Sequence, residues 1–345
     1  MKKVLALILV LTMAMSLVGC GSDTETETKT ETTTDGGSSE VEAQTLKLAH
    51  NLNEEHTVHL ALVDFANRVE EKSNGSVKVD IFPNGQLGSE SEVLEQLQAG
   101  AVSMTKVSAA ALTSYDNGYN AFTLPYVFVN EEHYFECMNS SAVEDLYANT
   151  KDNGFMGLTF YNSGARSFYT VDKPILHPDD LAGVKIRVMG FQSQTDMVEA
   201  LGGTPVGLAY GEVYTSIQSG VIDGAESNET ALTNGKHGEV AKVFSYDEHT
   251  RIPDILVISS KIWDGLSEEQ QTAVKEAAKE STDYHKGIWA TAIDEAIEDA
   301  KTNMGVEFVE VDKAPFREAV QPMLDKYTSE MPEVKALLDE FKGLE

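Results

Sequence analysis

Two arginines stand where packing alone does not explain them. Arg187 lies inside a short apolar run, residues 184–188, and Arg166 lies in a turn of small residues flanked by aromatic side chains. An unpaired guanidinium is expensive to bury, so each arginine needs an anionic partner. A structural salt bridge is one explanation for either residue. In an acidic protein, two arginines delivered by strand ends fit better with a planar clamp for a carboxylate, bound through parallel N–H bonds.

A third segment delivers a carboxylate side chain. Residues 82–90 read FPNGQLGSE, which is turn chemistry between a strand and a helix, and they place Glu90 at the helix N-terminus. Compensation of the helix dipole, worth about 0.3–1 kcal/mol, is the alternative explanation for Glu90.

The sequence carries no common catalytic signature. It contains no dinucleotide-binding or Walker loop, no G-x-S-x-G, no C-x-x-C and no H-E-x-x-H. His56 and His59 could share a helix face as paired metal ligands do, but no second motif completes such a site. We interpret them as histidines at a pocket edge or on the surface. The sequence predicts no metal, no cofactor and no enzymatic activity.

The elements that position these residues alternate between strand and helix. Residues 268–300 form one long predicted helix, which starts at a capping box in residues 267–270 and is long enough to span two lobes. Gly100 is placed to end a shorter helix. Alternation of this kind indicates an α/β fold that binds ligands at the carboxyl ends of its strands. Strand signals occur at residues 46–49, 77–82, 102–107, 157–160, 184–188 and 255–258.

Composition and charge exclude several classes of protein. The chain has 345 residues, 41% of them hydrophobic, which is ordinary for a globular protein and long enough for two lobes. Its net charge of −30 is the opposite of the basic footprint that nucleic acids require.

Cys137, in an aromatic helical stretch, is expected to be a small buried residue and not a nucleophile.

The N-terminus resembles an export signal. Lys2 and Lys3 precede an apolar run, residues 4–18, and small residues then lead to Cys20, as in the lipobox of bacterial lipoproteins. The resemblance implies that Cys20 is lipidated and anchors the chain; an uncleaved anchor or ordinary secretion are the alternatives. Residues 21–44, rich in Thr and Glu, predict a disordered tether.

From about residue 46 to the C-terminus the chain resembles one family closely. It is similar to the extracytoplasmic solute-binding proteins of TRAP transporters, of the C4-dicarboxylate-binding (DctP) type. The motifs that carry the resemblance are FPNGQLGSE, LEQLQAG, TLPYVF, DLAGVKIRVM, ALGGTPV and GEVYTSIQSGVIDGAE, in this order.

The resemblance implies a fold and a set of ligand contacts. The family has a two-lobed α/β fold, like class II periplasmic binding proteins, with a hinge and a long bridging helix. We expect residues 1–20 to be the signal peptide, residues 45–164 plus about 253–292 to form lobe I, and residues 165–252 plus about 293–345 to form lobe II. In the family pattern Arg187 binds the ligand carboxylate, Arg166 assists it, and Glu90, Asn51, Tyr210 and Glu226 contribute further contacts. The family commonly has Asn directly after this Glu, whereas this chain has Ser227 followed by Asn228.

These observations predict an extracytoplasmic, lipid-anchored, monomeric binding protein that delivers an organic acid to an ion-gradient-driven TRAP permease. The polar set of Glu90, Asn51, His56 and Glu226 suits a polyhydroxylated acid such as a hexuronate better than a short diacid, because buried polar groups without partners cost about 1–3 kcal/mol each. The alternatives are a C4-dicarboxylate or other carboxylate binder of the same family, and the binding protein of an ATP-driven importer. A secreted hydrolase or an adhesion module fits the residues less well.

Overall fold

The computed structural model of the protein describes residues 43–345. The predicted signal peptide, Cys20 and the tether up to residue 42 lie outside the described residues. The strands are β1 (Gln44–Ala49), β2 (Val77–Phe82), β3 (Met104–Ser108), β4 (Phe155–Tyr161), β5 (Arg166–Thr170), β6 (Lys185–Val188), β7 (Thr204–Gly207), β8 (Gly224–Ser227), β9 (Val243–Thr250), β10 (Asp254–Ser259) and β11 (Glu307–Glu310). The helices are α1 (Thr57–Lys72), α2 (Glu90–Ala99), α3 (Ala109–Leu112), α4 (Glu131–Met138), α5 (Ser141–Asn149), α6 (Gln192–Ala200), α7 (Val213–Gln218), α8 (Thr230–Thr233), α9 (Ser260–Asp264), α10 (Glu268–Thr302), α11 (Ala314–Glu330) and α12 (Pro332–Lys342).

The strands form two mixed sheets, so the predicted α/β class is confirmed. The first sheet has the order β2-β1-β3-β10-β4 and the second has the order β11-β9-β5-β8-β6-β7. In the first sheet β1 is parallel to β2 and β3, while β10 is antiparallel to β3 and β4. In the second sheet β6 is parallel to β7 and β8, while β5 is antiparallel to β8. The carboxyl ends of the parallel strands therefore meet the first residues of β10 and β5, Asp254 and Arg166, at one edge of each sheet.

The local signals in the sequence explain most element boundaries. Ser89 caps α2 in a capping box with Glu92, so the side chain of Glu90 takes no part in the cap. Gly100 ends the same helix in the left-handed conformation, at φ 78°, where an L side chain would be strained. Ser267 caps α10 in a second capping box with Gln270, as predicted.

The long helix α10 joins the two sheets. It has 35 residues, which at 1.5 Å per residue is about 50 Å. Its first half packs in a hydrophobic cluster on the first sheet, where Val274 lies with Phe65 of α1. Its last turns reach a separate cluster of the second sheet, where Ala300 lies with Phe244. Within residues 43–345 no helix combines the length and the apolarity needed to cross a membrane.

One detail differs from the sequence expectations. Arg166 is not in a turn: the turn is made by residues 162–165, where the Asn162 side chain accepts a hydrogen bond from Gly164 N at 2.9 Å, and Arg166 is the first residue of β5.

The final helix, α12, contacts the segment before β4, since Phe341 packs against Phe122 and Phe128 at ring-centroid distances of 5.9 and 5.7 Å. The division of the chain into two lobes remains a prediction.

Candidate functional site

A cavity of about 730 Å³ lies where the strand ends of the two sheets face each other. This volume is typical of small-molecule sites, which measure roughly 300–1,000 Å³. The structure brings the predicted contacts together here with the exception of Glu226. The predicted residues that line the cavity are Asn51, His56, Glu90, Arg166, Arg187, Tyr210, Ser227 and Asn228.

Arg187 is buried in the cavity wall without an acidic partner among the described residues. It lies in β6, is only 4% exposed, and its Nε donates to the Leu208 carbonyl at 2.9 Å. Among the described residues its two terminal nitrogens make no hydrogen bond and no acidic side chain pairs with it. Burial lowers the pKa of Arg187, although a guanidinium stays charged at any physiological pH. A buried cation with both amino nitrogens available is suited to an incoming carboxylate.

Arg166 is in a different situation, because it already has a carboxylate. Its Nε and Nη2 donate to the two carboxylate oxygens of Glu226 at 2.6 and 2.9 Å, and Nη2 also donates to the Glu226 carbonyl at 2.7 Å. Glu226 is fully buried and lies behind Arg166, away from the cavity wall. The sequence had placed both residues against the ligand. The structure leaves Arg166 Nη1 as the part of this pair without a protein partner in the described chain.

The ion pair continues into a buried network. His249 Nε2 lies 3.4 Å from Glu226 Oε2, and its Nδ1 lies 2.7 Å from Asp247 Oδ2. Burial alone would lower the pKa of His249, but Asp247 and Glu226 outweigh burial and raise it to about 9. Burial likewise opposes ionisation of Glu226, but Arg166 and His249 outweigh burial and lower its pKa to about 2. Two acids and two bases therefore alternate in charge behind the cavity.

This network predicts a pH dependence of stability. A histidine whose pKa is raised on folding contributes stability that is fully present below its unfolded value of about 6.5 and is lost as the pH rises through the folded value of about 9. A shift of this size corresponds to roughly 3 kcal/mol. We expect the unfolding free energy of the parent to fall by roughly that amount more than that of His249→Gln between about pH 6 and about pH 10. Urea unfolding of both proteins across this range measures the difference, and parallel curves would contradict the assignment of a charged His249.

A second polar cluster forms the first-sheet wall of the cavity. Lys106 of β3 is 2% exposed, and its Nζ lies 3.1 Å from both Asn51 Oδ1 and Asp254 Oδ1 and 3.8 Å from Glu90 Oε1. Glu90 Oε1 also accepts hydrogen bonds from Ser108 N at 3.1 Å and from Asn51 Nδ2 at 3.3 Å. Burial raises the pKa of Glu90, against the influence of Lys106.

Sequence reasoning missed Lys106 and Asp254. The signal for Lys106 was present, because a lysine inside the strand 104–108 raises the same question as Arg187 inside 184–188. Asp254 follows Pro253 and opens an apolar strand, a position that becomes informative only when β10 is known to run antiparallel to β3.

His56 links the first-sheet side of the cavity to Thr230 and Asn228 through a chain of hydrogen bonds. It caps α1, its Nδ1 accepting from Val58 N at 3.1 Å, so the proton of the neutral ring lies on Nε2. That nitrogen lies 3.1 Å from Thr230 Oγ1, and Thr230 Oγ1 in turn donates to Asn228 Oδ1 at 2.6 Å. The Asn228 amide nitrogen donates to the Ser163 carbonyl at 2.8 Å. Burial lowers the pKa of His56 to about 3, which keeps this chain of hydrogen bonds intact at neutral pH.

The departure from the family pattern at Ser227 has a structural consequence. Asn228 uses its Oδ1 and one proton of its amide nitrogen in these hydrogen bonds, which leaves one N–H without a partner among the described residues. Ser227 is 7% exposed, lines the cavity, and its hydroxyl makes no hydrogen bond to the described residues. Tyr210 lies nearby on the same wall, and burial raises its pKa to about 12, so the phenol is neutral.

His59 and Cys137 were also singled out in the sequence, and both have close side-chain neighbours. His59 Nδ1 lies 2.9 Å from His50 Nε2, so His56 and His59 do not converge on one point. The part of the chain that the structure describes contains no group of three or more His, Cys, Asp or Glu side chains able to hold a metal ion. Cys137 is buried, as predicted, and burial raises the pKa of its thiol to about 12.

The two sheets enclose a cavity of small-molecule size, with the buried Arg187 in its wall. The model of the bacterial extracellular solute-binding protein family 7 (DctP) matches residues 48–330. The chain is 44% identical over 281 residues to the Salmonella typhimurium protein YiiZ, which covers 81% of this chain and 86% of that protein. The chain belongs to this family, as its motifs indicated, and it is a binding protein and not an enzyme.

Solved structures of TRAP periplasmic solute-binding proteins have the same fold. One from Anaerococcus prevotii, with bound α/β-D-glucuronate, is 36% identical and superposes with a TM-score of 0.85, covering 87% of this chain and 97% of that chain. Another from Sulfitobacter sp. NAS-14.1, with bound β-D-galacturonate, is 35% identical with a TM-score of 0.83, covering 87% of this chain and 100% of that chain.

Proposed function

We propose that this protein captures a hexuronate, such as glucuronate or galacturonate, for a TRAP-type transporter. The observation that carries the proposal is Arg187, a buried guanidinium with two nitrogens available in a cavity of about 730 Å³. A guanidinium with parallel N–H groups fits one planar carboxylate. The relatives from Anaerococcus prevotii and Sulfitobacter, which hold glucuronate and galacturonate, support the same class of ligand.

The rest of the cavity fits a ring of hydroxyl groups. Glu90 Oε2, the Ser227 hydroxyl and the Tyr210 hydroxyl have no hydrogen-bond partner among the described residues, and each would need one when a ligand excludes water. Asn51 lines the same cavity and already pairs with Glu90 and Lys106. A short diacid such as succinate has no hydroxyl group with which to satisfy them. Arg166 would contribute Nη1 as a donor, while Glu226 balances its charge from behind the cavity wall.

Delivery to the membrane is the second part of the proposal. Permease subunits, driven by an ion gradient, would receive the ligand from a monomeric binding protein that closes its two lobes around it. Lipidation at Cys20 would anchor the chain to the outer face of the cell membrane, and the acidic tether would keep the folded body nearby. The apolar run and small residues before Cys20 support this anchor.

Closure of the lobes predicts compaction. Lining residues come from both sheets, so a ligand that contacts both favours the closed arrangement. We expect saturating hexuronate to reduce the radius of gyration in solution scattering. Superimposable curves with and without ligand, at concentrations where calorimetry shows saturation, would contradict a hinge mechanism.

The proposed function is tested by screening acids against the purified protein. Thermal unfolding is measured with glucuronate, galacturonate, succinate, malate and glucuronamide. A ligand at 100 times its Kd adds about 2.7 kcal/mol of stability, so a true ligand gives a clear increase in Tm. We expect the hexuronates to stabilise the protein and glucuronamide, which lacks the charge, to bind at least about tenfold more weakly. Stabilisation by succinate or malate without a hexuronate effect would instead identify a C4-dicarboxylate binder.

A further inference from the structure

We propose that Lys106, Asp254 and Glu90 form a charge filter that rejects a second carboxylate, so that the protein binds uronates and excludes the corresponding aldarates. The inference rests on the proposed function and concerns the wall of the cavity opposite Arg187 in the fold. An aldarate is the diacid in which both ends of the sugar chain are carboxylates. The filter would therefore act on the end of the ligand opposite the carboxylate that Arg187 binds.

The charge of Lys106 is already balanced by its acidic neighbours. Its Nζ lies 3.1 Å from Asp254 Oδ1 and 3.8 Å from Glu90 Oε1, and all three side chains are largely removed from water. Two acids surround one base. A lysine in an apolar strand could have been a second anion anchor, but here no positive charge remains for a ligand.

The acceptor that remains available in this cluster is one oxygen of Glu90. Asp254 Oδ2 accepts from Ser163 Oγ at 2.9 Å, and Glu90 Oε1 accepts from Ser108 N and lies beside Lys106 and Asn51. Glu90 Oε2 has no hydrogen-bond partner among the described residues. A sugar hydroxyl can donate to that oxygen, whereas an ionised carboxylate has no proton to donate and would meet a second negative charge.

A neutral Glu90 weakens the filter without removing it. Burial raises the pKa of Glu90, and a neutral Glu90 would lower the negative charge of the cluster by one and could donate one hydrogen bond to a carboxylate. The charges of Lys106 and Asp254 would still balance each other. In both states the cluster carries no net positive charge, so no opposite charge offsets the water that a second carboxylate loses.

The experiment compares ratios of dissociation constants. The parent, Asp254→Asn and Glu90→Gln are titrated by calorimetry with glucuronate and glucarate, and with galacturonate and galactarate. The aldarates are open chains and the uronates are mostly rings, so a single ratio mixes shape with charge. The change of the aldarate-to-uronate ratio on substitution removes the shape contribution, because both variants keep the volume of the side chain. Glu95→Gln, an exposed position on the same helix α2, is the matched control.

We expect the parent to bind glucuronate at least about tenfold more tightly than glucarate, equivalent to about 1.4 kcal/mol. Asp254→Asn removes one negative charge and leaves Lys106 with Glu90, at 3.8 Å, as its only acidic neighbour among the described residues. It should therefore lower the aldarate-to-uronate ratio by at least about tenfold, and Glu90→Gln, which leaves the closer Asp254 in place, should lower it less. Glu95→Gln should leave the ratio unchanged. A parent that binds both acids equally, or ratios that do not fall in either variant, would overturn the filter while leaving hexuronate binding in place. A parent that binds no hexuronate would instead overturn the proposed function, and the filter with it.

Discussion

Replacing Arg187 with lysine is expected to weaken hexuronate binding by about ten- to a hundredfold while the protein stays folded. Nε of Arg187 is fixed by the Leu208 carbonyl at 2.9 Å, which orients the two terminal nitrogens as a fork. Lysine keeps the charge but offers a single nitrogen, so it cannot form the two parallel bonds to a carboxylate. Each hydrogen bond to a charged group contributes about 1.5–3 kcal/mol, which sets the expected loss.

Calorimetric titration of the variant with the acid found by screening measures this effect, with circular dichroism as the folding control. Arg68→Lys is the matched substitution, since Arg68 pairs with Asp64 and Glu280 on the surface, away from the cavity. It should bind like the parent. If Arg187→Lys also binds like the parent, or if it unfolds, Arg187 is a structural residue and the assignment of the carboxylate site is wrong.

The position of Arg187 in a buried strand could be predicted because the evidence for it is local. A guanidinium within residues 184–188 is surrounded by apolar residues that any strand would bury, and the structure does place it in β6. Capping boxes, the glycine after α2 and the strand at Val77–Phe82 are local in the same sense, because each depends on residues a few positions apart. Such features could be predicted without knowledge of the tertiary fold.

What the sequence could not supply was the pairing of charges. Arg166 and Glu226 are 60 positions apart, and Lys106 and Asp254 are 148 apart. Whether an arginine faces a ligand or a carboxylate of its own chain depends on which strands become neighbours. Here β5 lies beside β8, with Phe168 opposite Glu226, and this register brings Arg166 and Glu226 together. The resemblance to the family predicted that Arg166 assists Arg187, but it did not predict that Glu226 pairs with Arg166 and is absent from the cavity wall.

The pairing of Arg166 with Glu226 gives the largest expected effect on stability. Glu226→Gln should lower the unfolding free energy by about 3–5 kcal/mol, because it removes the only negative partner of Arg166 among the described residues and one of the two acidic partners of His249. Arg166 would remain buried without an acidic partner in the described part of the chain, and His249 would keep only Asp247, whose single charge cannot balance both bases. Glu280→Gln removes a carboxylate that pairs with Arg68 and Lys72 at the surface, where water screens the charges, so its effect should be much smaller. Urea unfolding of both variants without ligand, at neutral pH, measures the difference. Equal and small losses in both variants would contradict the prediction and would mean that Glu226 contributes little to the stability of the folded protein. A role of Glu226 at the ligand would then require that calorimetry shows a loss of affinity in Glu226→Gln.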